Sequence, residues 1–157
     1  MIDEVVWKSG EEMAAKYMKG LGYKIITTNY QQRGFELDIV AVLSRRQQLK
    51  KIREEFKQKL SSAKTYEEVK ALREVFENQK KLVAKLLIIT EVKARTSNKF
   101  GKGYDAVSAT KQEKLVLGAK FLQKQKKFKK CNVRFDVASI DAGKITYIEN
   151  AFEVKNS

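Results

Sequence analysis

The spacing of apolar residues changes along the chain, and each change predicts an element. From Ser9 to Leu21 the residues Ala14, Tyr17, Met18 and Leu21 form one stripe with a period near 3.6, which predicts a helix. Ser9 reads as its N-cap, Glu11 and Glu12 as its first turn, and Gly22 as its stop. Tyr23 to Asn29 is rich in strand formers (Ile25, Ile26, Thr27, Thr28), and Gln31-Gln32-Arg33-Gly34 reads as a turn. A second strand follows from about Phe35 to Leu43. Strict alternation puts Phe35, Leu37, Ile39, Ala41 and Leu43 on one face and Glu36, Asp38, Val40 and Val42 on the other. Over Ser44–Lys85 the period returns to that of a helix. Leu49, Ile52, Phe56 and Leu60 form one stripe; Val69, Leu72, Val75 or Phe76, and Leu82 or Val83 form another. Thr65 and Glu68 have the spacing of a capping box at the start of the second helix. Two amphipathic helices with a short connection predict an antiparallel hairpin, stripe against stripe.

Leu86-Leu87-Ile88-Ile89 is an unbroken aliphatic run, as expected of a strand covered on both faces. It continues into Thr90-Glu91-Val92-Lys93, where the period of two turns Glu91 and Lys93 to one side and Val92 to the other. Phe100-Gly101-Lys102-Gly103 is a glycine-bearing loop without the strand and Gly-Lys-Ser/Thr context of a phosphate-binding loop. A helix is predicted from about Ala106 to Gln125, with Leu115, Gly118 and Leu122 on its apolar stripe. Lys124–Lys130 reads as an exposed basic turn. Asn132–Ile140 reads as a strand with Arg134 and Asp136 opposite Val133, Phe135 and Val137. Asp141-Ala142-Gly143-Lys144 turns the chain into a last strand, Ile145–Ile148.

Composition narrows the picture. At 157 residues and 43% hydrophobic, the chain has enough apolar material for one core of ordinary size. Its net charge of +14 favours a polyanionic partner, nucleic acid ahead of an anionic membrane surface. Half of that excess comes from Ser44–Lys85, where 13 Lys/Arg face 6 Glu. A single cysteine, Cys131, rules out an internal disulfide and fits a reducing compartment. No segment is long enough to span a membrane, and the acidic Met1-Ile2-Asp3-Glu4 does not resemble a signal peptide, so a cytoplasmic protein is expected. The absence of histidine excludes imidazole-based catalysis and His-ligated zinc. Any metal would be a hard cation held by carboxylates.

Four stretches carry candidate chemistry. Extending the first helical stripe back one turn reaches Glu11, whereas Glu12 pairs with Lys16 on the outer face. Compensation of the helix dipole explains Glu11 as well as a functional role does. Asp38 enters a strand that becomes apolar on both faces beyond it, an uncomfortable place for a merely solvated aspartate. Glu91-Val92-Lys93, taken alone, reads as a salt bridge at a strand end. Lys111 lies one turn before Leu115, on the side that leans toward the sheet.

Apart from the hairpin, the order is helix, three strands, helix, two strands, with an acid on the first helix, an acid on the second strand and Glu-x-Lys on the third. This ordered set resembles the PD-(D/E)XK nuclease superfamily, and within it the YraN-like family. The resemblance rests on Gly10-Glu11 with Ala14, Tyr17, Gly22 and Tyr23, on Asn29-Tyr30, on Glu36-Leu37-Asp38-Ile39-Val40-Ala41 and on Thr90-Glu91-Val92-Lys93-Ala94-Arg95. Phe100-Gly101, Lys111, Arg134-Phe135-Asp136-Val137 and Asn150-Ala151-Phe152 complete it. It implies a restriction-endonuclease-like α/β core (αβββαβ, a central mixed sheet flanked by helices), with residues 44–85 inserted between the second and third strands of a single domain. It also implies an Mg²⁺- or Mn²⁺-dependent endonuclease acting on DNA rather than RNA, similar to the Holliday-junction resolvases. Asp38, Glu91 and the carbonyl of Val92 would ligate the metal, and Lys93 would orient or activate the attacking water. Glu11 would complete the acidic cluster, Lys111 would hold a phosphate or the water, and Glu36 would support Asp38 from beside it. Carboxylates gathered in this way should raise at least one pKa in the metal-free protein.

Two features depart from the family pattern. Phe35 stands where the family has glycine, and would crowd the turn leading to Asp38. A helical hairpin also replaces a short loop. The alternative reading is therefore a non-catalytic module that retains the fold and binds nucleic acid or a protein, with the hairpin as contact surface. Analogy with resolvases implies a homodimer; no membrane partner is expected.

Overall fold

The computed structural model describes residues 2–95 and 107–154, with side chains from residue 9 onward. The loop expected at Phe100–Gly103 and the expected helix start at Ala106 lie outside the described residues. The elements are α1 (Ile2–Gly20), β1 (Lys24–Gln32), β2 (Phe35–Leu43), α2 (Arg45–Ser62), α3 (Tyr66–Leu82), β3 (Leu86–Arg95), α4 (Ala109–Gln123), β4 (Asn132–Asp141) and β5 (Lys144–Phe152). The strands pair in chain order, β1-β2-β3-β4-β5. All pairs are antiparallel except β3–β4, which runs parallel through the α4 crossover. The protein is therefore a mixed α/β structure. Among the described residues, no helix is long and apolar enough to cross a membrane.

Two apolar layers sandwich the sheet. Leu115, Ala119 and Leu122 of α4 pack with Leu37, Val40, Leu87, Ile89 and Val137 on one face. Ala14 and Met18 of α1 pack with Ile39, Ala41, Ile88, Val92 and Ala138 on the other. Helix α1 starts seven residues earlier than its sequence pattern predicts, so Ser9 is an interior helical residue and not the N-cap. Glu11 consequently lies in the third turn, out of reach of the helix N-terminus, and dipole compensation no longer explains it. Tyr17 and Leu21 extend the apolar stripe yet remain about 40% and 46% exposed, because the helix lies on the sheet along Gly10, Ala14 and Met18. At Gly10 the contact is backbone-close: a Cβ there would sit 2.8 Å from that of Ala94. The C-terminus closes as expected at Gly22, whose φ is +89°. Gly22 N–H bonds to Lys19 O and Tyr23 N–H to Met18 O, the two bonds of a Schellman motif.

Strand β2 corrects the simple alternation. Phe35 and Leu37 belong to the α4-side layer, but Ile39, Ala41 and Leu43 belong to the α1-side layer. The sidedness reverses at Asp38. There β2 parts from β3, their pairing ending at Ile39↔Thr90, and a strand that loses a neighbour can twist more strongly. Asn29, next to Asp38 on β1, has φ +50° and adds to the irregularity. Phe35 is buried beneath α4, 2.9 Å from the Cβ that Gly118 lacks, and its ring lies 5.6 Å from that of Phe121. It therefore points into the α4-side core and does not crowd the turn leading to Asp38. That turn is shorter than expected: β1 runs on to Gln32, leaving Arg33 and Gly34 (φ +98°) to reverse the chain.

The hairpin leaves and rejoins the sheet at Leu43 and Leu86, which are themselves register partners. Thr65 and Glu68 form the expected capping box, and Ser44 with Gln47 forms a second one. Phe56 stacks on Phe76 at 4.4 Å. The stripe thus uses Phe76 and Val83, leaving Val75 and Leu82 exposed. Neither helix contains a fully buried residue.

Candidate functional site

The parting of β2 and β3 opens a gap at the sheet's middle, and Asp38 fills it. Its Oδ2 accepts the N–H of Val92 at 2.8 Å, doing for β3 what the next residue pair of the ladder would have done. The N–H and C=O of a strand residue point to the same side, so the Val92 carbonyl faces this gap too. Glu91 and Lys93 follow Leu87 and Ile89 onto the α4 side, with Val92 opposite, as the period of two requires. Lys111 descends from the first turn of α4, and its Nζ lies 3.1 Å from Glu91 Oε2. Helix α4 begins at Ala109 because Ser108 caps it, its side chain accepting the N–H of Lys111.

These groups perturb one another. Burial, followed by the charge of Asp38, pushes the Glu91 carboxyl up to about 7, against the opposing pull of Lys111. Burial also raises Asp38, while the Val92 N–H and Lys111 work against the rise. The expected raised carboxylate is thus present, and desolvation outweighs like-charge repulsion as its cause. Burial lowers the Lys93 ammonium, partly offset by Glu91. It acts in the same direction on Lys111, but Glu91 and Asp38 outweigh it and hold that ammonium above its ordinary range.

Glu11 and Glu36 flank the pair. Glu11 is half-buried, and its carboxylate accepts a hydrogen bond from the Asn29 side chain. Burial, then Asp38 and Glu36, raise it against that bond. Glu36 is exposed, held by Gln31 Nε2 at 2.8 Å. The site thus brings Asp38, Glu91, Val92 and Lys111 into direct contact, carries Lys93 on the same strand face as Glu91, and leaves Glu11 and Glu36 within electrostatic range of Asp38.

A hard divalent cation suits this donor set. Two carboxylates and a carbonyl are all oxygen. Glu91 Oε2 is buried, with the Lys111 ammonium 3.1 Å away and Asp38 beside it as its polar neighbours. Among the described residues no cluster of three or more His, Cys, Asp or Glu stands ready for a metal, so Asp38 and Glu91 would rely on the Val92 carbonyl and water to complete the shell. Mg²⁺ commonly keeps several waters in this way.

On the α1 face, a polar network that the sequence pattern did not reveal braces the same strand. Asp136, 1% exposed, accepts Arg134 Nε and Nη2 at 2.9 and 2.8 Å, Tyr147 Oη at 2.6 Å and Asn150 N–H at 2.9 Å. Tyr147 also meets Thr90 Oγ1 at 3.2 Å, immediately before Glu91. Arg134 reaches Tyr23, which donates to Glu149, and Lys51 of the hairpin pairs with Glu149 at 3.2 Å. Burial raises the Tyr147 and Tyr23 phenols. Burial also opposes ionisation of Glu149, but Tyr23, Arg134 and Lys51 hold its carboxyl below the usual range. The alternating Arg134 and Asp136 were visible in the sequence. Their partners were not: Tyr23 and Tyr147 come from other segments, and a two-residue bulge in β5, with Asn150 at φ +52°, brings the Asn150 N–H to Asp136.

The model of a family described as "Uncharacterised protein family UPF0102" matches residues 10–140. A UPF0102 protein of Thermodesulfovibrio yellowstonii is 32% identical over 145 residues, covering 92% of this chain and 93% of the relative. One from Desulforapulum autotrophicum is 29% identical, covering 91% and 88%. One from Persephonella marina is 25% identical over 154 residues, covering 98% of each chain.

Proposed function

The chain belongs to the uncharacterised protein family UPF0102, and from that premise and the geometry of its site we propose that it is a metal-dependent nuclease with a restriction-endonuclease-like core. The supporting observation is the pair Asp38 and Glu91 at the parting of β2 and β3, two largely buried carboxylates close enough to perturb each other, with the Lys111 ammonium 3.1 Å from Glu91. Phosphodiester hydrolysis needs a positioned water and stabilisation of charge on the phosphoryl and leaving oxygens. Mg²⁺ or Mn²⁺, held by Asp38, Glu91 and the Val92 carbonyl, would supply that charge and make a bound water more acidic. Lys93 orients the water and, with its pKa lowered by burial, can exchange a proton with it. Lys111 stays cationic and offers its charge to a phosphate oxygen. Glu11, on the α1 side of Asp38, adds negative charge that favours the cation over the bare carboxylates. DNA is the proposed substrate.

The test is incubation of purified protein with branched, duplex and single-stranded DNA in Mg²⁺, Mn²⁺ or EDTA. Cleavage should require the metal and fall by at least about a hundredfold in Asp38→Ala and Glu91→Ala, as loss of a metal ligand implies. Cleavage that survives either substitution would remove the site from consideration. Absence of cleavage in every condition, with salt-dependent DNA binding retained, would favour the non-catalytic module.

A further inference from the structure

The end of the sheet away from the acid pair has the opposite character. A cavity of about 680 Å³ lies at the base of the hairpin, on the α4 side of the sheet. Lys24 of β1, Arg46 of α2, Lys85 ahead of β3 and Lys127 after α4 line it, with Val42 and Phe128 beneath. None of the described lining residues is a carboxylate. Four cations therefore come from four segments far apart in sequence and converge without an acid among them. Lys127 Nζ sits 4.8 Å from the centroid of the Phe128 ring, which steadies the ammonium at the rim. The positive end of α2 reaches the same space through Ser44 and Arg46.

Like charges gathered this way repel one another, and an anion relieves that repulsion. The volume exceeds what one phosphate needs and falls in the range of pockets for small organic ligands. Its floor is apolar, and Ile26 adds an aliphatic wall. We propose that this cavity binds a nucleotide unit, the phosphate among the four cations and the base against the apolar floor. The unit comes either from a nucleic-acid strand or from a free mononucleotide. The cavity is defined by its own lining and does not depend on the acid pair.

Binding is measured in EDTA, where metal-dependent cleavage cannot interfere. The probes are a fluorescein-labelled single-stranded 12-mer, followed by anisotropy, and AMP, followed by calorimetry. The triple variant K24Q/K85Q/K127Q is compared with K57Q/K64Q/K70Q, which removes equal charge from the exposed hairpin surface. Far-UV circular dichroism checks that both fold, and R46Q alone serves as a milder variant should the cavity triple fail to do so. The expected result is at least a tenfold rise in Kd for the cavity triple, at least threefold for R46Q, and less than threefold for the hairpin control. AMP binding that disappears with the cavity triple identifies a free nucleotide; 12-mer binding without AMP binding identifies a strand. Equal losses in the two triples would overturn the proposal, leaving net charge as the cause. So would a wild-type protein that binds neither probe. Failure here with metal-dependent cleavage intact would leave the acid pair's role standing, since the two sets of variants share no residue and binding is read without metal.

Discussion

Glu91 holds a carboxylate where water reaches it poorly. Its side chain is 12% exposed, and its pKa lies near 7 against the 4.5 of an unfolded chain. A raised carboxyl pKa means that the folded state prefers the proton. Its contribution to stability is complete below about pH 4.5 and is lost as the pH rises through about 7. Glu91→Gln, which cannot ionise, should therefore leave the metal-free protein unchanged at pH 4.5 and stabilise it by about 1–3 kcal/mol at pH 8. Urea unfolding in EDTA across that range would measure the difference, and a gap that narrowed with rising pH would contradict the assignment. The residues of this site were largely legible in the sequence. An acid and an amine two apart on a strand must share a face, so the shared side of Glu91 and Lys93 follows from the backbone alone. Lys111 was legible because helical spacing ties it to Leu115. The bond of Asp136 to Asn150 was not, since it depends on a bulge in another strand.

At the scale of elements, the glycine at the crossing of α1 and β3 sets how deeply the helix can sit. Gly10→Ala would bring its Cβ to within 2.8 Å of the Ala94 Cβ, which has no rotamer to yield, and should cost about 1–3 kcal/mol in denaturant unfolding. Phe35 teaches the complementary lesson. In sequence it is an oversized residue beside a candidate ligand, but in the structure the missing side chain of Gly118 makes room for it, a compensation some eighty positions away that no local pattern announces. The hairpin was readable from its two stripes and the Thr65 box. The Ser44–Gln47 box was equally readable, since Ser-x-x-Gln has the required spacing. The hairpin is held to the sheet by polar contacts, among them Gln48 Nε2 to the Leu43 carbonyl and Lys51 to Glu149. Replacing residues 44–85 with a two-residue turn, possible because Leu43 and Leu86 are already paired, should leave a cooperatively folding protein. A molten product, seen as lost near-ultraviolet dichroism, would show that the helices support the core.

Across the whole molecule charge is spread unevenly over the sheet, with carboxylates at its middle, where β2 and β3 part, and cations at the hairpin's base. Composition could report the total of +14 but not its distribution, which depends on which strands neighbour one another. The pairing order could not be read from the elements themselves, because apolar strands such as Leu86–Ile89 are compatible with several partners. The adjacency of Leu43 and Leu86 has a kinetic consequence. Were residues 44–85 an unstructured loop, closing it to zip β2 onto β3 would cost about 3 kcal/mol of chain entropy. Two capped helices joined by a short turn can form from local contacts first and deliver the strand ends to each other. Ser44→Ala and Thr65→Ala should each weaken a cap by about 0.5–2 kcal/mol. If the hairpin forms before the sheet, the loss appears as refolding about two- to thirtyfold slower, with little change in unfolding rate. Stopped-flow chevrons would separate the two limbs, and a loss confined to the unfolding limb would place hairpin formation after strand pairing. The chain segment that looks least connected to chemistry would then act as the clasp that lets the central sheet find its register.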